Sequence, residues 1–236
     1  MEEITIQRIV NTKKEKMHIA VVGKYTAVKD AYISVKEALI NGAAAIDHGL
    51  EIDWVEASDL EKTDDISGVL GRYHGILVPG GFGERGIEGK IKAINYAREN
   101  RKAYLGLCLG LQLMVVEYAR NIAGLKDAHS TEFNKATKNP VIDFLPEQRQ
   151  ITKLGATMRL GAYECDLKYK THAYNAYKTQ DSKHETAKCS ERHRHRYEVN
   201  PDFVTGLEKS GLLFSGFYNS PKGEVVEMHG ITFLPM

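Results

Sequence analysis

The sequence predicts an α/β fold in three layers, with a mostly parallel central sheet and helices on both faces. Three observations carry that expectation. Short apolar runs ended by glycine recur through the first half of the chain, and segments with apolar residues at helical spacing alternate with them. One run also passes without a gap into a helix at Gly106-Leu-Cys108-Leu-Gly110. Alternating strands and helices build βαβ units, and parallel strands covered on both faces read as continuous apolar stretches. The 236 residues suffice for one such domain with a single core.

Residues 1–17 are polar, with a basic cluster at Lys13, Lys14 and Lys16, and read as a linker or N-terminal extension; residues 18–236 read as one domain. Residues 18–23 (HIAVVG) form the first expected strand. Asp30 stands where a helix N-cap belongs, and Val35, Leu39 and Ile46, with Ala38 and Ala43, give an apolar stripe reaching to Gly49. Residues 50–57 and 75–78 supply the second and third strands, the latter closed by Pro79-Gly80-Gly81. A helix over 87–100, a fourth strand over 103–107 and a helix over 109–120 follow. Beyond about residue 124 the pattern changes. Pro140, Pro146, Gly155 and Gly161 punctuate short segments, and 168–188 is polar and irregular. Strands are expected over 158–163, 194–199, 212–218 and 224–228. No internal repeat or low-complexity tract interrupts the chain.

Composition removes several classes of function. A net charge of +1 gives no global field for nucleic acid or an anionic membrane, and no apolar run is long enough to span a bilayer. The N-terminus lacks a signal-peptide core. Three cysteines, Cys108, Cys165 and Cys189, are too few and too scattered for a disulfide framework or a zinc site, so a reducing cytoplasm is the expected setting. His193 and His195 would share a strand face, but no third ligand is evident, and no metal is expected.

Cys108 carries the strongest chemical signal. A nucleophile elbow holds its nucleophile on a sharp strand-to-helix turn, with glycines relieving the crowding. There the thiol meets a helix N-terminus, which favours thiolate, and the next backbone N–H faces a developing oxyanion. A buried core cysteine beside two incidental glycines fits the local pattern too. Upstream, Val78-Pro-Gly80-Gly81-Phe-Gly83-Glu-Arg-Gly86 follows a strand, and such a loop frees backbone N–H groups for negative charge. Gly81-x-Gly83-x-x-Gly86 also matches a dinucleotide fingerprint, but on the third strand rather than the first and with no acidic residue ending the next one. A nucleotide P-loop fails because Lys90 lacks the upstream glycine spacing and a following Ser or Thr.

Together GLCLGLQ (106–112) and the PGG loop before it resemble the class I glutamine amidotransferases. Further stretches narrow the resemblance to the amidotransferase domain of the CTP synthase family. They are Val22-Gly-Lys-Tyr-Thr26 with Asp30-Ala-Tyr32 and Ser34, PGGFGERGIEGK (79–90), His129-Ser-Thr-Glu-Phe133, Thr157-Met-Arg-Leu-Gly161 and Glu191-Arg-His-Arg-His-Arg-Tyr-Glu198. The resemblance implies a Cys-His-Glu triad that releases ammonia from glutamine through a glutamyl thioester, with Cys108 as nucleophile. It makes the N–H groups of Gly81 and Leu109 the oxyanion donors and has Gln112 contact the substrate. Glu132 would hold the glutamine α-ammonium and Arg196 its α-carboxylate, roles that suit a carboxylate and a bidentate guanidinium. Beside these stand plainer possibilities: Glu132 as a solvated loop residue, and Arg192 to Arg196 as an exposed strand face or a phosphate-binding edge.

Where the family continues into a His-Pro-Glu segment, this chain passes from Val225-Val-Glu-Met228 into His229-Gly-Ile-Thr-Phe-Leu-Pro-Met236, with no counterpart of the triad His and Glu. His229 is the one histidine near that place, and it precedes the strand it should follow. Two functions therefore stay open: a glutaminase supplying ammonia for ATP-dependent amination of UTP, or a catalytically inactive relative that binds glutamine or a synthase partner. The resemblance assigns no cofactor to this domain. ATP, UTP and Mg would belong to a synthase domain, absent here and supplied in cis or in trans, in a full enzyme that is a homo-oligomer.

Overall fold

Residues 15–24, 26, 28, 31–144, 159–178 and 187–218 are described in a computed structural model of the chain. They fall into two compact units divided between Gly110 and Leu111.

The first unit is built on four strands, β1 (Lys16–Gly23), β2 (Gly49–Glu56), β3 (Gly75–Val78) and β4 (Ala103–Gly106), in the spatial order β2-β1-β3-β4. Every neighbouring pair is parallel. Four helices connect them: α1 (Ile33–Ala45), α2 (Ala57–Lys62), α3 (Ile66–Leu70) and α4 (Ile87–Glu99). α5 (Leu109–Asn121) begins at the end of the unit. The chain steps outward from β1 to β2, then back across β1 to β3 and on to β4. α2 and α3 both pack against α4, and right-handed crossovers, the rule for parallel strands, would place α1 on the opposite face of the sheet. Ala20, Val21 and Val22 of β1 and Ile76, Leu77 and Val78 of β3 are buried, as strands covered on both faces require. The direction of winding reverses between β1 and β3, and ligands of open α/β sheets bind at the carboxyl ends of strands beside such a switch.

The α/β class and all four strands of the first half match the sequence pattern, with local corrections. β1 takes in Lys16 and Met17, which pair with Gly49 and Leu50 of β2, so the ladder starts inside the expected extension. Tyr32 is the N-cap of α1 and forms no side-chain cap bond; Asp30 lies outside the described residues. The core stripe of α1 is carried by Ile40 and Ala43, three residues apart, while Val35 and Leu39 are half-buried and Ala38 is exposed. Ile46 is 57% exposed because the helix stops at Ala45, and the backbone of Ile46 already leaves the helical path. α2 and α3 were not expected, being too short to show a period; α3 is started by Asp65, whose carboxylate accepts from the N–H of Gly68 at 2.8 Å.

The second unit holds two small sheets. One is antiparallel, β10 (Gly216–Phe217), β7 (Arg159–Leu167) and β8 (Ala187–His195) in that order. The other joins β5 (His129–Ser130), β6 (Pro140–Phe144) and β9 (Tyr197–Val199). Cys165 and Cys189 face each other across β7 and β8 in a buried cluster with Leu167, Ala173 and Tyr174. α7 (Pro201–Lys209) is fastened to β6 by Asn200, which caps it and donates from Nδ2 to the Pro140 carbonyl at 2.9 Å. The single strand expected over 194–199 is in fact two strands of different sheets, because the chain bends at Arg196. The strand expected over 212–218 shrinks to Gly216 and Phe217, which alone find partners on β7. Within the stretch expected to be irregular lie α6 (His172–Tyr177), capped by Thr171, and the start of β8. The expected strand over 224–228, the residues 179–186, and Pro146, Gly155, Thr157 and Met158 lie outside the described residues, as does His229.

Candidate functional site

In the first unit the carboxyl ends of β1, β3 and β4 bring together the segments that the sequence singled out. β4 ends at Gly106, the N–H of Leu107 donates to the Val78 carbonyl at 2.9 Å, and α5 starts at Leu109. Cys108, between them, has φ +51° and is exposed. That left-handed conformation is uncommon for a residue with a side chain, and it projects the thiol from the turn as an elbow does. A core cysteine it is not. The helix leaves the turn at once because position 110 is glycine: a side-chain carbon there would collide with the Val78 carbonyl oxygen. Tyr104 locks the same turn by donating its hydroxyl proton to the Gly110 carbonyl at 2.8 Å.

The loop after β3 lies against this elbow. A Cβ placed on Gly80 would be 3.4 Å from Cβ and 3.9 Å from Sγ of Cys108, so glycine lets the loop backbone reach the thiol. Gly81 follows, with Leu109 Cδ2 3.7 Å from the place its Cβ would take. Among the described residues no backbone carbonyl accepts from the N–H of Gly81 or of Leu109, the two donors expected for an oxyanion.

Two lysines, neither given a role by the sequence argument, shape this loop. Lys24, just past β1 and 2% exposed, donates from Nζ to the Phe82 carbonyl at 2.9 Å and also to the Gly83 carbonyl. Its own backbone is pinned by Tyr32, whose hydroxyl accepts from the Lys24 N–H and donates to the Lys24 carbonyl. Lys90, on the first turns of α4, is fully buried, and its Nζ is 3.6 Å from where a Cβ on Gly81 would lie. Burial, reinforced by the charge of Lys24, pushes Lys90 down to about 8, while Cys108 and Glu56 act in the opposite direction. Glu56, closing β2, accepts from Thr26 Oγ1 at 3.0 Å and Ser58 Oγ at 3.1 Å. The available signal was a lysine set in an otherwise apolar or glycine-rich run, which reads equally well as a surface residue.

The other three expected site residues lie in the second unit. Gln112, on the first turn of α5, is buried, and its Nε2 donates to the Tyr197 carbonyl at 2.8 Å. Glu132 sits in the turn after β5, its N–H donating to Ser130 Oγ at 3.2 Å, and Arg196 occupies the bend between β8 and β9. Tyr197 links them electrostatically. Its phenol is pushed up first by burial, then by the carboxylates of Glu132 and Asp143, with Arg196 opposing. The backbone carbonyl of Tyr197 is bonded by Gln112, and its phenol feels the opposite charges of Glu132 and Arg196. Arg192 and Arg194 are exposed on β8, and the alternation ends at the Arg196 bend. His193 and His195 bond to each other, Nδ1 to Nε2 at 2.9 Å. Among the described residues no group of three His, Cys, Asp or Glu side chains could hold a metal, and no helix is long and apolar enough to cross a membrane.

Comparison with known proteins follows the same lines. Residues 27–232 match the family model described as glutamine amidotransferase class-I. The CTP synthase of Hydrogenobaculum sp. (strain Y04AAS1) is 51% identical over 217 residues, 91% of this chain and 38% of that protein. The CTP synthase of Methanococcoides burtonii is 49% identical over 229 residues, 96% of this chain and 41% of that protein. The chain thus spans about two fifths of the length of these relatives. Among solved structures, the Trypanosoma brucei CTPS glutaminase domain with bound acivicin superposes with a TM-score of 0.78 at 37% identity. That match covers 88% of this chain and 77% of the trypanosomal one.

Proposed function

Because the chain belongs to the class I glutamine amidotransferases, as a glutaminase domain of the CTP synthase type, we propose that it hydrolyses glutamine at Cys108 and supplies the ammonia for amination of UTP. The observation that carries this reading is the exposed Cys108 held at φ +51° where β4 meets α5, with Gly80 against its Sγ. The thiolate attacks the carboxamide carbon of glutamine, and the carbonyl oxygen becomes an anion facing the N–H groups of Gly81 and Leu109. The C–N bond breaks, ammonia leaves with a proton from a general acid, and water then cleaves the thioester to glutamate and the free thiol. The resemblance gives the acid's role to a histidine of a His-Pro-Glu segment that has no counterpart in this sequence, so turnover requires another general acid; His229 lies outside the described residues. Glu132 and Arg196 hold the α-ammonium and α-carboxylate, and Gln112 sets the helix face beside them.

ATP, UTP and magnesium engage a synthase domain that receives the ammonia, in the same chain or another, and the full enzyme is a homo-oligomer. Acivicin, bound in the trypanosomal domain, is expected to occupy the glutamine site here. The test is ammonia release from glutamine by the purified chain beside Cys108→Ala, with a glutamine-analogue diazoketone as covalent probe. Turnover lost in the variant, with the probe on Cys108, supports hydrolysis. Labelling without turnover assigns the chain a binding role instead, and neither would overturn the reading of the site.

A further inference from the structure

Lys90 is a buried titratable group that the chemistry above leaves unused. Its side chain is fully buried, its Nζ has no hydrogen-bond partner among the described residues, and it lies 3.6 Å from the Cβ position of Gly81. The next residue back along the loop, Gly80, is the one set against Cys108. We propose that the Lys90 ammonium is the internal counter-charge of the Cys108 site, a positioning residue that stabilises the thiolate and the oxyanion formed at Gly81. This inference rests on Cys108 being the nucleophile.

An ammonium buried without a partner is costly, and a side chain needed only for bulk would be better as a hydrocarbon. Residues 86–90 are shaped to put it there. Gly89 lets α4 pass over the Ala57 carbonyl at a distance no side chain would allow, which turns Lys90 inward beneath the loop. The charged groups acting on Lys90 come from three elements: Lys24 after β1, Glu56 closing β2 and Cys108 after β4; among the described residues α2, α3 and β3 add none. Lys24 is already engaged by the Phe82 and Gly83 carbonyls, and Glu56 by Thr26, Ser58 and Arg85. The thiolate remains as the anion whose appearance the Lys90 charge would favour. With its proton affinity lowered only to about 8, the group keeps its charge at neutral pH. It can thus lower the cost of the thiolate without being part of the triad.

The experiment is the rate of alkylation of Cys108 by iodoacetamide against pH, read by mass spectrometry on the full chain and on Lys90→Met, which keeps the volume and removes the charge. The wild-type midpoint is expected below that of an ordinary thiol, and the variant's midpoint about one pH unit higher, with alkylation roughly tenfold slower below both midpoints. A folded Lys90→Met with the wild-type midpoint overturns the inference while leaving the nucleophile in place. A wild-type midpoint no lower than an ordinary thiol's overturns both. Should Lys90→Met not fold, the reciprocal measurement serves: the Lys90 13Cε titration in wild type and in Cys108→Ala. Loss of the thiolate is expected to lower the Lys90 midpoint, and an unchanged midpoint overturns the coupling.

Discussion

The side-chain amide of Gln112 donates to the backbone carbonyl of Tyr197 at 2.8 Å, joining the first turn of α5 to the start of β9. Gln112 is buried, so this bond is made in a place where an unmade one is expensive. Gln112→Leu should cost about 1–3 kcal/mol in urea denaturation. A kinetic effect should accompany it, because the charges of Glu132 and Arg196 both act on the same tyrosine. KM for glutamine is expected to rise more than kcat falls.

Cys108 should be the one cysteine that reacts in the native chain. Cys165 and Cys189 are buried opposite each other, and burial pushes the Cys189 thiol up. Brief iodoacetamide treatment at neutral pH is expected to modify Cys108 alone, and all three in urea. Native modification of Cys189 at a comparable rate would contradict the burial described for β8.

Much of this was legible in the residues and some was not, for identifiable reasons. β1, β3 and the turn at Cys108 were plain because a strand buried on both faces leaves an apolar run and the glycines mark where the backbone crowds. α2 and α3 were hidden, at six and five residues, below the length at which a helical period can be seen. The break at Arg196 was hidden too, since alternation of Arg and His continues through it in sequence while the chain changes sheets in space. Lys24 and Lys90 were missed as site residues because the sequence reports a lysine's charge and not its burial, and only the fold turns these two inward.

Lys90 makes a prediction for stability against pH. Its folded value is lowered to about 8 from the ordinary 10.5, so the unfolded chain binds this proton more tightly. The penalty is complete below about 8 and fades as pH rises towards 10.5. Lys90→Met is therefore expected to be more stable than wild type by about 3 kcal/mol at pH 7, with the difference shrinking through that window. A difference that stays constant from pH 7 to pH 10.5 would show that packing, and not charge, separates the two.

Gly110→Ala tests the elbow without touching the thiol. The added methyl meets the Val78 carbonyl, which also accepts from Leu107. A loss of about 1–3 kcal/mol is expected, as for other overpacked sites. Alkylation of Cys108 should slow as the turn opens; stability and reactivity both at wild-type level would mean the turn is less closely packed than described.

Asn200→Ala removes two bonds at once, the cap on α7 and the tie from Nδ2 to Pro140. A loss of about 1–2 kcal/mol is expected in thermal unfolding. Asn200→Ser, which can keep the cap and drops the tie without setting an anion against the Pro140 carbonyl, should lie between.

The left-handed backbone at Cys108 also bears on which inactive variant to compare. Alanine in place of the cysteine keeps the unfavourable φ of +51°, whereas glycine relieves it by roughly 1 kcal/mol or more. Stability and reactivity therefore pull position 108 in opposite directions: the backbone favours glycine, the chemistry a thiol.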